Sequence, residues 1–222
     1  MWKDGLRSMN LYGICIILSF ILGFFFIVIH LRVNKIPSNI IGYLIMLSLS
    51  CMLYFSKLYT VIVAKDKSIN ILNASLSSLG GAFGLLFAVL IIGNIYKNGK
   101  NSIYTVCILS LPLMYGISKI GCHFAGCCSG IKLKNEDFIF PIQLVESIVF
   151  LLTFVISMLL YYHKVNIDYI ALEIVICSSL KFILDFFRQD HMGKLVTINQ
   201  IVCIIFLVIG LIERVYNKCL SD

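Results

Sequence analysis

The run Ser118-Lys119-Ile120-Gly121-Cys122-His123-Phe124-Ala125-Gly126-Cys127-Cys128-Ser129-Gly130 gathers side chains able to do chemistry into one short stretch. It ends an apolar segment and interrupts that segment's pattern with a lysine, a histidine, three cysteines and three glycines. Ionisable groups at membrane depth are costly, which makes such a stretch a functional site by default. Lys119 offers a cation, and His123 is the side-chain type that shuttles protons near neutral pH. Gly121, Gly126 and Gly130 allow the backbone to turn or to approach another group closely. Cys122, Cys127 and Cys128 with His123 are the ligand types of a tetrahedral zinc site. The paired C-x-x-C spacing of such sites is missing, however, so no metal is expected. A disulfide among them would depend on an oxidising compartment. Cys15, Cys51, Cys107, Cys177 and Cys203 fall inside apolar segments, where a free thiol acts as a small hydrophobe, and Cys219 lies in the tail.

A second concentration of charge lies further on. Glu173, Cys177, Lys181, Asp185 and Arg188 recur every three or four residues, which puts them on one helix face. Lys181 and Asp185 are spaced i,i+4 and Asp185 and Arg188 i,i+3, so the spacing places this acid between two bases. Such a face turns into a bundle or a polar cavity, or forms an interfacial girdle from which Lys and Arg snorkel to water. Arginine matches a phosphate with two parallel hydrogen bonds, which makes a lipid headgroup its natural ligand. The segment Leu79-Gly80-Gly81-Ala82-Phe83-Gly84 has the small-residue spacing that lets helices approach closely, and its backbone N–H groups are alternatively free to meet an anionic headgroup. Glu146 follows Pro141-Ile142-Gln143-Leu144-Val145 in the first turns of a helix, a position typical of a dipole partner. Lys57 has no evident partner in the sequence and is expected to snorkel.

The elements that must position these groups are membrane helices. Hydrophobic residues make up 60% of the 222 residues and charged ones 13%, and the mean hydropathy is +0.98. That composition excludes an ordinary soluble domain. A bilayer-spanning helix takes about 20 apolar residues. Seven segments qualify, at roughly 11–30, 40–63, 76–96, 102–120, 141–162, 169–187 and 196–213, and together they form one all-α integral membrane domain. The polar start of the third, Ser75-Leu76-Ser77-Ser78, is expected to be non-helical. Lys3 and Arg7 precede an apolar run too long for a signal-peptide core, and no small-residue cleavage pattern follows, so a retained first helix is expected. Lys and Arg are spread almost evenly over the two sets of connections, and the positive-inside rule does not orient the chain. A net charge of +7 suits an anionic lipid surface, and no nucleic-acid partner is expected.

Four ordered pieces resemble the bacterial prolipoprotein diacylglyceryl transferase family. Gly80-Gly81-Ala82-Phe83-Gly84 is similar to its His-Gly-Gly segment, and Lys119-Ile120-Gly121 through Gly130 to its Arg-Ile-Gly signature. Pro141-Ile142-Gln143-Leu144-Val145-Glu146 resembles Pro-x-Gln-Leu-Tyr-Glu. Lys181-Phe182-Ile183-Leu184-Asp185-Phe186-Phe187-Arg188 resembles Arg-Phe-x-x-Glu-Phe-Phe-Arg. The resemblance implies transfer of diacylglycerol from phosphatidylglycerol to a lipobox cysteine thiol of a preprolipoprotein. It also implies a multi-pass protein of the bacterial inner membrane that uses neither metal nor nucleotide. Carried onto matching positions, it makes Lys119 and Arg188 catalytic; His123, by its residue type alone, is the candidate third catalytic residue as proton carrier, with packing as the alternative. Gly80, Gly81, Gly84, Gly121, Cys122, Gly126, Gly130, Gln143, Glu146, Lys181 and Asp185 become substrate-binding. The chain departs from the pattern at several positions. Leu79 stands where the family has a histidine, Lys119 and Lys181 replace arginines, Cys122 and Cys127 occupy the signature's Asn and Glu positions, and Val145 replaces a tyrosine. A related transferase with another acceptor and a non-catalytic lipid-binding protein therefore stay open. A transporter fits less well, because no internal repeat is evident.

Overall fold

The computed structural model describes residues 2–63, 70–132, 139–191 and 193–219, with side chains over 11–63, 70–132, 139–191 and 193–215. The side chains of Lys3, Arg7 and Cys219 lie outside the described residues. Seven α-helices follow one another: α1 (Trp2–Val33), α2 (Ser38–Val63), α3 (Ser78–Ile95), α4 (Lys100–Phe124), α5 (Ile142–Tyr162), α6 (Tyr169–Asp185) and α7 (Ile198–Cys219). All but α6 carry stretches long and apolar enough to cross a membrane. Large apolar side chains such as Ile17, Met46, Ile148 and Ile212 remain exposed, which is the surface of an all-α membrane bundle covered by lipid rather than water. At 17 residues, α6 is the short member, and it is the helix that carries the ionisable face.

Three local features differ from, or sharpen, the sequence reading. Helix α4 does not stop near residue 120 but continues to Phe124, so the first half of the reactive motif is helical. Residues 70–77 are non-helical and α3 begins at Ser78, in keeping with the polar start. Lys57 does not simply snorkel, because its Nζ donates to the Leu72 carbonyl at 2.7 Å and closes the connection between α2 and α3.

The chain forms two compact units, one of residues 24–111 and one of residues 1–23 with 112–222. In the first, α3 lies directly on α2. A Cβ at Gly80 would meet the Phe55 carbonyl and lie 2.7 Å from the Ser56 Cα, and one at Gly84 would meet the Cys51 backbone and lie 2.7 Å from the Met52 Cα. These two glycines therefore set the interhelical distance. Gly81 differs, with open space where its Cβ would be.

In the second unit, α4 packs on α1 through Gly121, whose Cβ would come within 2.8 Å of the Cys15 Cβ. Gly116 gives the same close approach to α5 at Leu151. Helix α6 starts with Asp168, whose carboxylate accepts the Ile170 and Ala171 N–H groups at 3.1 Å. Helix α7 starts with a capping box. Thr197 Oγ1 accepts the Gln200 N–H at 3.2 Å, and Gln200 Oε1 accepts the Thr197 N–H at 2.9 Å.

Candidate functional site

The second unit brings the motif of α4 and the ionisable face of α6 together around α5. Glu146, fully buried near the start of α5, receives Lys119 from α4 at 2.8 Å and Lys181 from α6 at 2.5 Å, one on each carboxylate oxygen. The sequence spacing placed Asp185 between two bases; the structure puts Glu146 there instead, because Lys181 turns across to α5 rather than along its own helix. Asp185 pairs with Arg188 at 3.4 Å and accepts the Thr197 hydroxyl at 2.6 Å. The capping box of α7 thereby fixes the Asp185 carboxylate, and the carboxylate in turn aims Arg188. Lys119, Lys181, Asp185 and Arg188 are all buried. Three cations against two carboxylates leave one positive charge that no described carboxylate balances, in a place where uncompensated charge is expensive.

Tyr115 joins this cluster although the sequence reading passed over it. Its ring lies under both ammonium groups, 5.1 Å from Lys119 Nζ and 5.5 Å from Lys181 Nζ, a cation–π arrangement. Tyr115, Lys119 and Cys122 share one face of α4 by their i, i+4, i+7 spacing, which is the signal that could have found it. Among the described residues neither Tyr115 Oη nor Arg188 Nε has a hydrogen-bond partner, although both atoms are buried. Buried polar atoms in folded proteins are almost always paired, so two orphans beside surplus positive charge mark a place for an acceptor-rich ligand.

The connection after α4 is shaped by a Schellman turn. Gly126 N–H reaches the His123 carbonyl at 3.1 Å and Cys127 N–H the Cys122 carbonyl at 3.2 Å, with Gly126 at φ +66°. This is the left-handed position where glycine ends helices. Cys128 follows at φ +57°, a conformation that costs a non-glycine residue about 1 kcal/mol or more. Gln143 Nε2 donates to the Cys127 carbonyl at 2.8 Å and fixes the turn from α5. Gly130 then pairs antiparallel with Arg188. The Gln189 N–H donates to the Ser129 carbonyl and the Ile131 N–H to the Phe187 carbonyl, both at 3.0 Å. A Cβ at Gly130 would collide with the Phe140 carbonyl, so this strand-like pairing requires glycine.

The predicted site residues thus fall in four places. Lys119, Glu146, Lys181, Asp185 and Arg188 come together in the buried cluster. Gly121, Cys122, Gly126, Gly130 and Gln143 form its helix end and adjoining turn. His123 is exposed on the last turn of α4, its ring edge-on to Phe124, and lies outside the ion cluster. Gly80 and Gly84, expected to bind substrate, bear the α2–α3 packing. Glu173, on the same face of α6, makes its own buried pair of contacts, accepting Ser157 Oγ at 2.5 Å and the Cys177 thiol at 3.5 Å.

Outside the spanning helices, electrostatics favour charge at the mouth of the cluster. The neighbouring thiols of Cys122 and Cys127 hold the Cys128 thiol well below the usual thiol range; burial opposes them, while Lys119 and Arg188 add to the effect. Burial works against the Arg188 guanidinium, but Cys128, Glu146, Tyr115 and Asp185 outweigh it and keep it above its ordinary value.

No curated protein matches the chain. The model of the prolipoprotein diacylglyceryl transferase family matches residues 3–216, nearly its whole length, and the chain belongs to that family.

Proposed function

We propose that this chain transfers the diacylglyceryl group of phosphatidylglycerol to the cysteine thiol of a preprolipoprotein lipobox in the bacterial inner membrane. The observation that carries the reading is the pair of buried donors without a partner among the described residues, Tyr115 Oη and Arg188 Nε, beside three cations that outnumber the two carboxylates. A phosphodiester headgroup bears one negative charge and several acceptor oxygens, which complements both features.

In this reading the acceptor sulfur attacks the glycerol carbon that carries the phosphate. A carbon–sulfur bond forms, the carbon–oxygen bond breaks, and its electron pair leaves on glycerol phosphate. Catalysis then consists of stabilising charge as it gathers on the leaving phosphate, which positioned cations do best in a water-poor site. Arg188 and Lys119 are assigned that role, Lys181 and Asp185 hold them in place, and Tyr115 Oη donates to a phosphate oxygen. The thiolate is the nucleophile, and exposed His123 takes the acceptor proton and passes it to solvent. A lipid donor approaches laterally between helices, so a site buried among spans is accessible to it.

The test is turnover of purified protein in detergent with labelled phosphatidylglycerol and a lipobox peptide, following thioether product and released glycerol phosphate. Product that disappears with Arg188→Ala supports the reading. Glycerol phosphate without thioether product assigns a different acceptor, and intact lipid with retained binding assigns a non-catalytic lipid-binding role.

A further inference from the structure

The sulfur atoms of Cys122, Cys127 and Cys128 lie within 4.8 Å of one another, and no step of the proposed reaction uses them. The Schellman turn explains how a C-x4-C-C sequence achieves this. It folds Cys127 back over the end of α4, with its Sγ 3.6 Å from the Cys122 carbonyl, and the left-handed backbone of Cys128 turns the next thiol toward the same point. Gln143 and the pairing of residues 129–131 with 187–189 hold the turn from both flanks, so the cluster is built before any ligand arrives.

We propose that Cys122, Cys127 and Cys128 form a three-thiolate site for a thiophilic divalent metal ion of the zinc or cadmium class, with a fourth position open to an incoming thiol. Zinc–thiolate bonds of about 2.3 Å put tetrahedral sulfur atoms about 3.8 Å apart, a spacing the cluster reaches with side-chain adjustment alone. Soft sulfur donors select such ions over magnesium or calcium. The carboxylates of the ion cluster are also committed elsewhere, Glu146 to two lysines and Asp185 to Arg188 and Thr197. Three thiolates around a divalent ion carry one net negative charge, and the adjoining cation-rich cluster of Lys119, Lys181 and Arg188 complements it. Binding forms three metal–sulfur bonds and releases to solvent one proton for each thiol still protonated, with no change of oxidation state. Cys127 is exposed while Cys122 and Cys128 are half-buried, so the open position faces outward.

The experiment is a titration of the reduced, metal-free full-length protein with cobalt(II) and cadmium(II), read by thiolate-to-metal charge-transfer absorption. The expected result is saturation at one ion per chain. Cys122→Ser/Cys127→Ser/Cys128→Ser, which keeps the other six cysteines, should abolish the band, and Cys127→Ser alone, at an exposed position, should weaken affinity at least tenfold. A short cysteine peptide should shift the cobalt spectrum of the loaded protein. Absence of the band, or its survival in the triple variant, overturns the site; an unshifted spectrum overturns the open fourth position. The readout does not involve turnover, so its failure leaves the transferase reading standing.

Discussion

Lys119 and Lys181 hold opposite oxygens of a single carboxylate, that of Glu146, at 2.8 and 2.5 Å. Because the three residues come from α4, α6 and α5, one buried acid joins three helices. Removing it leaves two desolvated ammonium groups facing each other. The Glu146→Gln variant should therefore lose about 3–5 kcal/mol of stability, seen as a lowered thermal midpoint in detergent. Adding Lys181→Met, which removes one of the stranded charges, should recover part of the loss. A double variant no more stable than Glu146→Gln alone would deny that the charges are coupled.

Arg188 is held by Asp185 on one side and by the Gly130 pairing on the other, and its Nε has no partner among the described residues. Arg188→Lys keeps the charge and loses the planar fork. It should retain measurable transfer, whereas Arg188→Ala should lower turnover by about a hundredfold or more. Glycerol phosphate release from phosphatidylglycerol reports both. Equal rates for the alanine variant and the parent would remove Arg188 from the chemistry.

Tyr115→Phe separates a ligand role from a packing role. The ring, and with it the contacts to both lysines, is retained, and only the unpartnered hydroxyl goes. A buried hydroxyl without a partner destabilises the fold, so its deletion should leave stability unchanged or raise it by about 1 kcal/mol. Turnover should nevertheless fall by about tenfold or more if Tyr115 Oη donates to the phosphate as proposed. A variant that is more stable and fully active would reduce Tyr115 to a cation–π platform.

The helices were legible because a run of apolar residues has one physical solution in a bilayer, and their order follows from the sequence directly. The members of the buried ion cluster were legible for the same reason, since Lys119, Lys181 and Arg188 are out of place among apolar neighbours. Their pairing was not. Periodicity on α6 reports only contacts within that helix, so Asp185 stood out as the acid between two bases, while the true partner of Lys181 sits 35 residues earlier on α5. The meeting of Cys122, Cys127 and Cys128 was hidden for a related reason. Linear spacing does not reveal that a Schellman turn at Gly126 folds the chain back on itself. The Thr197–Gln200 capping box was readable as Thr-x-x-Gln before an apolar run, but its hydroxyl's further bond to Asp185 is tertiary information.

The glycines of α3 divide in a way that substitution can expose. Gly84 faces the Cys51 and Met52 backbone of α2, which cannot move aside as a side-chain tip does, so Gly84→Ala should cost about 1–3 kcal/mol through overpacking. Gly81 has open space at its Cβ position and sits inside the same helix, where alanine favours the helical state by about 0.5–1 kcal/mol. Gly81→Ala should therefore be neutral or stabilising by thermal unfolding in detergent. If Gly81→Ala also keeps full turnover, residue 81 has no part in the reaction. If it is stable but impaired, the open face of Gly81 is where a substrate group comes close, and the α3 glycines combine a packing role at 80 and 84 with a binding role at 81.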